Sequence, residues 1–244
     1  MFHTVSRRGA LPVVLIHGAG GSRLHWPGSL RRLANATVYT LDLPGHGRSG
    51  GQGRNTIEGY AAAVADFLRA AGIERAVIAG HSMGGAIAMC LALDFSDLAG
   101  GLVLVATGAR LRVAPAILEG IRSNFEQSVE LVTGYAWSEW APARMVARGR
   151  EGLLDTGPEV LAGDFAACDR FDVMGRLGEI RVPALVIAGS DDRLTPPRYA
   201  LFLASHIPDA SLVVIEGAGH MVMLERPDEV TKAVQEFLKL MASG

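Results

Sequence analysis

The stretch that decides the fold is AVIAGHSMGGAIAMCLAL, residues 76–93. The apolar run Ala76–Ala79 leads into Gly80-His81-Ser82-Met83-Gly84, and an apolar helical pattern follows directly. Glycines two residues to either side of Ser82 allow a turn so tight that the serine takes a strained backbone conformation. At the start of a helix, Ser82 also lies beside backbone N–H groups that stabilise a developing oxyanion. A serine that only caps the helix is the alternative interpretation.

Short apolar runs of the same kind recur along the chain and alternate with helical patterns. The further predicted strands are Val13–His17, Thr37–Leu41, Leu102–Ala106, Ala184–Ala188 and Ser211–Ile215. The predicted helices are Ile57–Ala71, Ser82–Leu93, Pro197–His206 and Pro227–Leu240. Because the strand runs are almost continuously apolar, both faces of the sheet are expected to be covered. The sequence therefore predicts an α/β fold, with a mostly parallel central sheet and helices on both faces.

The alternation breaks once, between the predicted strands Leu102–Ala106 and Ala184–Ala188. Nearly 80 residues separate these strands, far more than one crossover helix needs. Apolar residues recur there every four positions, at Ile117, Ile121, Phe125 and Val129, and prolines at 115, 142 and 158 are typical of helix starts. We therefore predict a core formed by residues 1–106 and 181–244, and a helical insertion formed by residues 107–180.

Composition excludes several classes of protein. The 244 residues are 49% hydrophobic and carry a formal net charge of −2, which gives no electrostatic reason to bind nucleic acid or an anionic membrane. The longest apolar stretch, Met83–Leu93, is shorter than the ~20 residues that cross a bilayer. Cys90 and Cys168 form no metal-binding pattern, and the N-terminus does not resemble a cleavable signal. A cytoplasmic location is expected, and the oligomeric state stays open.

Four further segments accompany the serine turn in a fixed order. They are His17–Gly21, Asp42–Ser49, Gly189–Pro196 and Gly217–His220. Together with Gly80–Gly84 they resemble the α/β-hydrolase superfamily, in particular its serine carboxylesterases, ring-cleavage hydrolases and cofactor-free haloperoxidases. The resemblance covers essentially the whole chain apart from the insertion. It implies an α/β-hydrolase fold in which the helical insertion forms a cap over the active site. About a dozen residues precede the first recognisable strand, so the leading edge of the sheet is expected to be short.

The resemblance also implies a catalytic triad in the chain order Ser…Asp…His, with Ser82 as the nucleophile. The family pattern G-x-x-D-x-x-x-P matches Gly189, Asp192 and Pro196, so Asp192 is the expected acid and the adjacent Asp191 is the reserve. His220 follows the next predicted strand and is the expected base, because an imidazole exchanges protons in both directions near neutral pH.

An oxyanion hole requires two backbone N–H donors. One is expected from Met83, which follows the nucleophile, and the resemblance favours Ala19 for the other. The glycine-rich segment around Ala19 is not a dinucleotide fingerprint, because Arg23 occupies the place of its last glycine. No metal or organic cofactor is expected.

Three tryptophans are candidate substrate contacts: Trp26, Trp137 and Trp140. The expected activity is hydrolysis of carboxylic esters of small to medium uncharged substrates through an acyl-enzyme on Ser82. Carbon–carbon bond, lactone or thioester hydrolysis, acyl transfer and cofactor-free perhydrolysis are alternatives on the same triad. A ligand receptor that retains the hydrolase fold is the alternative from another class.

Overall fold

The computed structural model describes residues 1–243, and its centre is a seven-stranded sheet. The strands are β1 (His3–Arg7), β2 (Leu11–Ile16), β3 (Ala36–Leu41), β4 (Ala76–His81), β5 (Ala99–Val105), β6 (Ala184–Gly189) and β7 (Ala210–Ile215). They lie in the order β1-β3-β2-β4-β5-β6-β7. Only β1 runs antiparallel to its neighbour, β3, so the predicted mostly parallel sheet is confirmed. The leading edge of the sheet consists of this single antiparallel strand, which was not predicted.

Ten α-helices surround or extend the sheet within the described residues. They are α1 (Gly28–Arg31), α2 (Ile57–Ala70), α3 (Met83–Asp94), α4 (Pro115–Ser123), α5 (Phe125–Ala136), α6 (Ala143–Thr156), α7 (Pro158–Arg170), α8 (Pro197–His206), α9 (Val222–Glu225) and α10 (Pro227–Ser243). Two short 3₁₀ helices span Arg23–His25 and Met174–Glu179. No helix among the described residues is long and apolar enough to cross a membrane.

Successive residues of the central strands contribute to two different apolar cores. Val14 and Ile16 of β2 pack into one core together with α2, α3 and α8, whereas Val13 and Leu15 pack into the other together with α1 and α10. Side chains alternate between the two faces of a strand, so a strand covered on both faces must be apolar throughout. This requirement explains the continuous apolar runs that made the strands recognisable.

Helices α4 to α7 lie between β5 and β6, within the predicted helical insertion. They enclose a third, smaller apolar cluster formed by Ile117, Ile121, Val129, Val132, Leu161 and Ala162, with Phe125 partly buried against it. Pro115 and Pro158 are the first residues of α4 and α7. Proline is tolerated there because the first N–H groups of a helix have no partner within the helix, so the missing N–H costs no hydrogen bond. The helical character of residues 107–180 is thus observed. Their status as a separate unit stays a prediction.

Candidate active site

Ser82 lies on a strained turn between β4 and α3. Its φ of 53° and ψ of −117° are unusual for any residue other than glycine, at a cost of about 1–3 kcal/mol. A Cβ atom on Gly80 would overlap the backbone of Gly84, and one on Gly84 would overlap the carbonyl oxygen of Ile16. Glycine is therefore required at both positions for the strand, the turn and the helix to approach each other this closely.

The backbone of Ser82 is fixed to the end of β5. Its N–H donates to the carbonyl oxygen of Val105 at 2.9 Å, and its carbonyl oxygen accepts the hydroxyl of Thr107 at 2.8 Å. Met83, the first residue of α3, is completely buried. The turn thus holds Ser82 in a fixed position at the carboxyl ends of the parallel strands. Ligand-binding and active sites of parallel α/β sheets lie at this edge.

Asp192 and His220 form a buried pair on the loops that follow β6 and β7. His220 Nδ1 lies 2.9 Å from Asp192 Oδ2, and the two residues are 5% and 3% exposed. The other carboxylate oxygen, Oδ1, accepts the backbone N–H groups of Leu194 at 2.9 Å and Thr195 at 2.8 Å. The Thr195 hydroxyl donates to Oδ2 at 2.7 Å. These four contacts hold the carboxylate in one orientation towards the imidazole.

The electrostatics of this pair favour an ionised carboxylate. Burial by itself would raise the pKa of Asp192, but the charge of His220 and the hydrogen bonds from His220 and Thr195 lower the pKa overall. The carboxylate accepts the Nδ1–H of His220, so Nε2 of the same ring carries the lone pair that accepts a proton. The imidazole is therefore in the tautomer that a general base requires.

Asp191, the reserve candidate for the acid, has different partners. Its residue is exposed, its Oδ1 accepts the hydroxyl of Ser190 at 2.8 Å, and its N–H donates to the carbonyl oxygen of Ala218 at 2.9 Å. These contacts close a turn at the surface. The geometry favours Asp192 as the partner of His220.

Two cavities meet at Ser82. The larger, which we call the outer cavity, has a volume of about 350 Å³, and the smaller, the inner cavity, has about 70 Å³. Both are lined by Ala19, Ser82 and His220. The predicted nucleophile, base and one predicted oxyanion donor thus face the same space, although their segments lie far apart in the chain.

The helical insertion supplies most of the apolar wall of the outer cavity. The contributing residues are Leu111, Val113, Ala114, Ile117, Leu131, Val132, Tyr135, Phe165 and Cys168. Arg112 and Arg193 line the same cavity. Arg112 donates to the carbonyl oxygen of Asp169 at 2.7 Å, whereas Arg193 donates to that of Gly134 and lies 5.3 Å from the ring centre of Tyr135. Neither arginine was predicted from the sequence.

The inner cavity contains polar atoms without partners among the described residues. His81 Nε2 lies 3.0 Å from the carbonyl oxygen of His220, which only accepts, so Nε2 carries the proton and Nδ1 carries a lone pair. That Nδ1 and the hydroxyl of Thr133 are both buried and unpaired. Burial and the charge of His220 lower the pKa of His81, so its ring stays neutral.

The three candidate tryptophans occupy different places. Trp137 is 5% exposed and lines the inner cavity. Trp26 is buried in the core beside α1, and Trp140 is 72% exposed. Neither of these two lines a cavity at Ser82 in the described part of the chain. The structure therefore corrects the expectation that Trp26 and Trp140 contact substrate, because one packs inside the core and the other faces solvent.

Two histidines outside the predicted triad join neighbouring loops. His17 Nδ1–H donates to the carbonyl oxygen of Gly18 at 2.8 Å, and its Nε2 accepts the N–H of Leu43 at 3.0 Å. Both ring nitrogens are thereby used in the neutral form, in agreement with a pKa lowered mainly by burial. His46 contacts Asp164 of the helical insertion at 2.8 Å. Asp164 was not singled out in the sequence because it lies between apolar residues of a helix and belongs to no motif.

A further groove, of about 640 Å³, lies at the opposite, amino ends of the strands, against Leu11, Ala76 and Ala184. It contains Arg75 and Asp209 but none of the predicted catalytic residues. The candidate active site therefore lies at Ser82, although the cavities there are smaller than this groove. Among the described residues, no group of three or more His, Cys, Asp or Glu side chains is placed to hold a metal ion.

Comparison with known proteins identifies the family of this chain. Residues 13–233 match the family model described as the alpha/beta hydrolase family. A 2-hydroxy-6-oxo-6-phenylhexa-2,4-dienoate hydrolase of Comamonas testosteroni is 29% identical, with 93% of this chain and 87% of the relative covered. A pimeloyl-[acyl-carrier protein] methyl ester esterase of Sodalis glossinidius is 31% identical, with 98% of each chain covered. The solved structure of a thermophilic esterase is 37% identical, with a TM-score of 0.88 over 98% of this chain and 93% of that chain. This protein belongs to the α/β hydrolase family.

Proposed function

We propose that this protein hydrolyses carboxylic esters of small to medium uncharged substrates through an acyl-enzyme on Ser82. The observation that carries the proposal is the position of Ser82, on a strained turn that faces the same cavities as His220, whose ring is paired with the buried Asp192. The similarity to a methyl ester esterase at 31% identity and to a thermophilic esterase at 37% identity supports the reaction class.

In the proposed acylation step, Nε2 of His220 takes the proton of the Ser82 hydroxyl while the serine oxygen attacks the ester carbonyl carbon. The resulting oxyanion accepts hydrogen bonds from the backbone N–H groups of Ala19 and Met83. Asp192 stabilises the imidazolium and fixes its tautomer. When the tetrahedral intermediate collapses, the carbon–oxygen bond to the alcohol breaks, and His220 returns the proton to the departing oxygen.

Deacylation repeats the same proton transfers with water as the nucleophile. His220 takes a proton from the water, whose oxygen attacks the acyl carbon, and the proton then returns to the oxygen of Ser82 as the acid departs. The inner cavity supports this step, because its volume of about 70 Å³ leaves room for a water molecule and both Ser82 and His220 line it.

The two cavities suggest how an ester fits. The outer cavity, with about 350 Å³ and an apolar wall, falls in the usual size range of ligand pockets and suits the larger apolar group of the substrate. The inner cavity, with about 70 Å³, suits only a small group. Most of the outer wall comes from residues 107–180, so we assign this helical insertion the role of a cap that selects the substrate.

The test combines a panel of p-nitrophenyl esters of increasing acyl length with a fluorophosphonate probe. We expect turnover by the wild type and covalent labelling of Ser82, located by peptide mass spectrometry. Ser82→Ala should abolish both while melting at a similar temperature. If the wild type neither turns over any ester nor reacts with the probe at Ser82, the proposed function is wrong, and the ligand-receptor alternative gains support.

A second candidate is hydrolysis of a carbon–carbon bond in a dienoate, the reaction class that the name of the 29% identical relative indicates. The specific observation in its favour is the pair Arg112 and Arg193, which line the outer cavity and suit a carboxylate on the substrate. A ring-cleavage dienoate is assayed beside the esters. A kcat/KM for the dienoate well above that for every neutral ester would replace ester hydrolysis by this second candidate.

A further inference from the structure

Gly20 belongs to the core, yet the helical insertion holds it on several sides. Its N–H donates to Asp164 Oδ2 at 2.8 Å. Its carbonyl oxygen lies 2.8 Å from the hydroxyl of Thr156, which shares its proton with the carbonyl oxygen of Gly152, 3.0 Å away and one turn earlier in the same helix. Asp164 lies on α7 and Thr156 is the last residue of α6. A Cβ atom on Gly20 would come within 2.7 Å of side-chain carbons of Leu153 and Leu161, so these leucines pack directly against its Cα.

Gly20 is the third residue of a tight turn that contains the proposed oxyanion donor. The turn runs from Gly18 to Gly21 and is closed by the N–H of Gly21, which donates to the carbonyl oxygen of Gly18 at 3.1 Å. Gly20 has a φ of 60°, whereas Ala19 is not among the residues with positive φ, a combination typical of a type II turn. Ala19 is the second residue of this turn and lines both cavities.

The peptide group between Ala19 and Gly20 is the part of the turn that the insertion controls. In type I and type II turns this central peptide has opposite orientations, while the ends of the turn stay in place. In the observed orientation, the N–H of Gly20 points to Asp164. Reversing the peptide would direct the carbonyl oxygen of Ala19 at that carboxylate, which is repulsive. The proposed donor, the N–H of Ala19, belongs to the preceding peptide, between Gly18 and Ala19. Holding Gly20 therefore acts on this N–H indirectly, by fixing the Cα position of Ala19 and the conformation of the turn.

Asp164 is itself held firmly enough to impose this orientation. It is completely buried and, besides Gly20, binds His46 Nε2 through Oδ2 at 2.8 Å and the hydroxyl of Tyr60 through Oδ1 at 2.5 Å. Burial alone would lower the pKa of His46, but the hydrogen bond and charge of Asp164 raise it overall, so the imidazolium form is favoured beside the carboxylate. A buried carboxylate with partners on three segments of the core has little freedom to move.

We infer that Asp164 and Thr156 are positioning residues, through which the helical insertion sets the orientation of the oxyanion loop at Ala19. This inference rests on the proposed function, since it concerns the oxyanion of that reaction. Neither side chain contacts the reacting atoms, so their effect is expected on the transition state rather than on substrate binding. Loss of one oxyanion donor costs about 10²–10³-fold in kcat, which is the upper limit for a misplaced loop.

The decisive variant is Thr156→Val, which removes one hydroxyl from a half-buried position and keeps the shape of the side chain. Asp164→Ala and Asp164→Asn form a second pair. Asparagine can place its oxygen where Oδ2 accepts the N–H groups of Gly20 and His46, and its amide can donate to Tyr60, so it is the conservative replacement. Tyr60→Phe is the matched control, because it removes a bond to the same carboxylate and leaves the bond to Gly20 untouched.

Each variant is assayed for kcat and KM on the best ester, for melting temperature, and for binding of two inhibitors. The first is a trifluoromethyl ketone, whose adduct with Ser82 carries an oxyanion, and the second is the corresponding secondary alcohol, which carries none. We expect Thr156→Val to lower kcat about 5- to 20-fold and to weaken the trifluoromethyl ketone by a similar factor. KM and the affinity for the alcohol should stay within about twofold, because the hydrogen bonds of the oxyanion hole become strong only when the negative charge forms.

Asp164→Ala should lower kcat and the affinity for the trifluoromethyl ketone more than Thr156→Val does. Asp164→Asn should retain most of the wild-type kcat. Tyr60→Phe should lower the melting temperature while it leaves kcat and the ketone affinity near those of the wild type. If Asp164→Ala does not fold, Thr156→Val alone decides.

The inference is overturned if the folded Thr156→Val protein binds the trifluoromethyl ketone as the wild type does. It is also overturned if Tyr60→Phe loses as much ketone affinity as Thr156→Val. In that case the oxyanion loop would respond to any loss of stability around Asp164 and not to the hydrogen bonds at Gly20. A wild type that neither turns over esters nor binds the ketone refutes the proposed function, and this inference with it.

Discussion

The core and the helical insertion hold their polar groups in different ways. In the core, the carboxylate of Asp192 is oriented by Thr195, three residues away, and by His220, 28 residues away on the loop after the next strand. In the insertion, Asp164 binds Gly20 from 144 residues away and His46 from 118 residues away. The first arrangement is local to the loops that carry the proposed chemistry. The second exists only when the insertion packs onto the core.

This difference shows that the two regions divide the proposed site unequally. The loops after β4, β6 and β7 are held mainly by hydrogen bonds within the core. The loop after β2, which carries Ala19, is held at Gly20 by hydrogen bonds from the insertion. The insertion also touches the histidine loop, since the N–H of Met221 donates to the carbonyl oxygen of Ala136 at 3.1 Å. A substitution in the core should therefore act on the proton transfers, and one in the insertion on substrate selection and loop geometry.

The largest expected effect tests the local arrangement of the core. Asp192→Asn should lower kcat about 10³- to 10⁴-fold, because the amide no longer holds the His220 tautomer that accepts a proton. Asp191→Asn should change kcat by less than about threefold, since this exposed side chain only closes a turn. Steady-state kinetics and circular dichroism of both variants provide the measurement. A greater loss from Asp191→Asn would reverse the assignment of the acid.

A smaller effect is expected from the insertion. Ile117 lines the outer cavity and belongs to the small apolar cluster of α4 to α7. Ile117→Ala should destabilise the protein by about 2–4 kcal/mol, and it should shift the preferred acyl chain to a longer one by opening the cavity. Ile78, on β4, is buried in the apolar core of the sheet and lines neither cavity. Ile78→Ala should therefore lower the free energy of unfolding by a similar amount without changing the preferred acyl chain length. Urea denaturation and the ester panel distinguish the two variants. An unchanged chain-length profile for Ile117→Ala would mean that the insertion does not select the acyl group.

A still smaller effect is expected at the rim of the outer cavity. Arg193→Gln should raise KM about 1.5- to 5-fold for an ester that carries a distal carboxylate, because an exposed charge contributes about 0.2–1 kcal/mol to pairing. KM for the neutral ester of the same length should not change. The ratio of the two kcat/KM values is the measurement, and increased salt should reduce the difference in the wild type. Equal changes for both esters would show that Arg193 supports the loop rather than a charge on the substrate.

The last expected effect is the dependence of stability on pH. Burial lowers the pKa of His17, His81 and His25, the last to about 4, so below pH ~6.5 the unfolded chain binds protons that the folded protein does not. Stability should therefore decrease as the pH falls below ~6.5. His46 acts in the opposite direction, because its raised pKa gives a stabilisation that is complete below pH ~6.5 and is lost as the pH rises through that pKa.

Melting temperatures between pH 5 and 9 check this expectation, with the maximum near pH ~6.5–7. His25→Gln should flatten the acidic side of the profile, whereas His46→Gln should flatten the alkaline side. A profile whose acidic side is unaffected by His25→Gln would show that the burial of His25 does not contribute to acid sensitivity.

Much of the core could be predicted from sequence, because its determinants are local. A strand covered on both faces must be apolar throughout, and a serine turn as tight as that at Ser82 must have glycine at positions 80 and 84. The antiparallel strand β1 was missed because four of its five residues, His3–Arg7, are polar and the strand is only partly buried. In the insertion, proline positions and the four-residue period predicted the helices, but the period does not show what the apolar face contacts.

The sequence by itself thus determined the six parallel strands, the serine turn and the order of the candidate residues. Each of these depends on short-range sterics or on the apolar run that burial of both strand faces requires. Only the tertiary structure decided that Trp137 faces the inner cavity while Trp26 and Trp140 do not, and that Arg193 borders the outer cavity. It also decided the place of Asp164, which reaches Gly20 across 144 residues. Such contacts depend on how the insertion packs against the core, and no local pattern of residues encodes that packing.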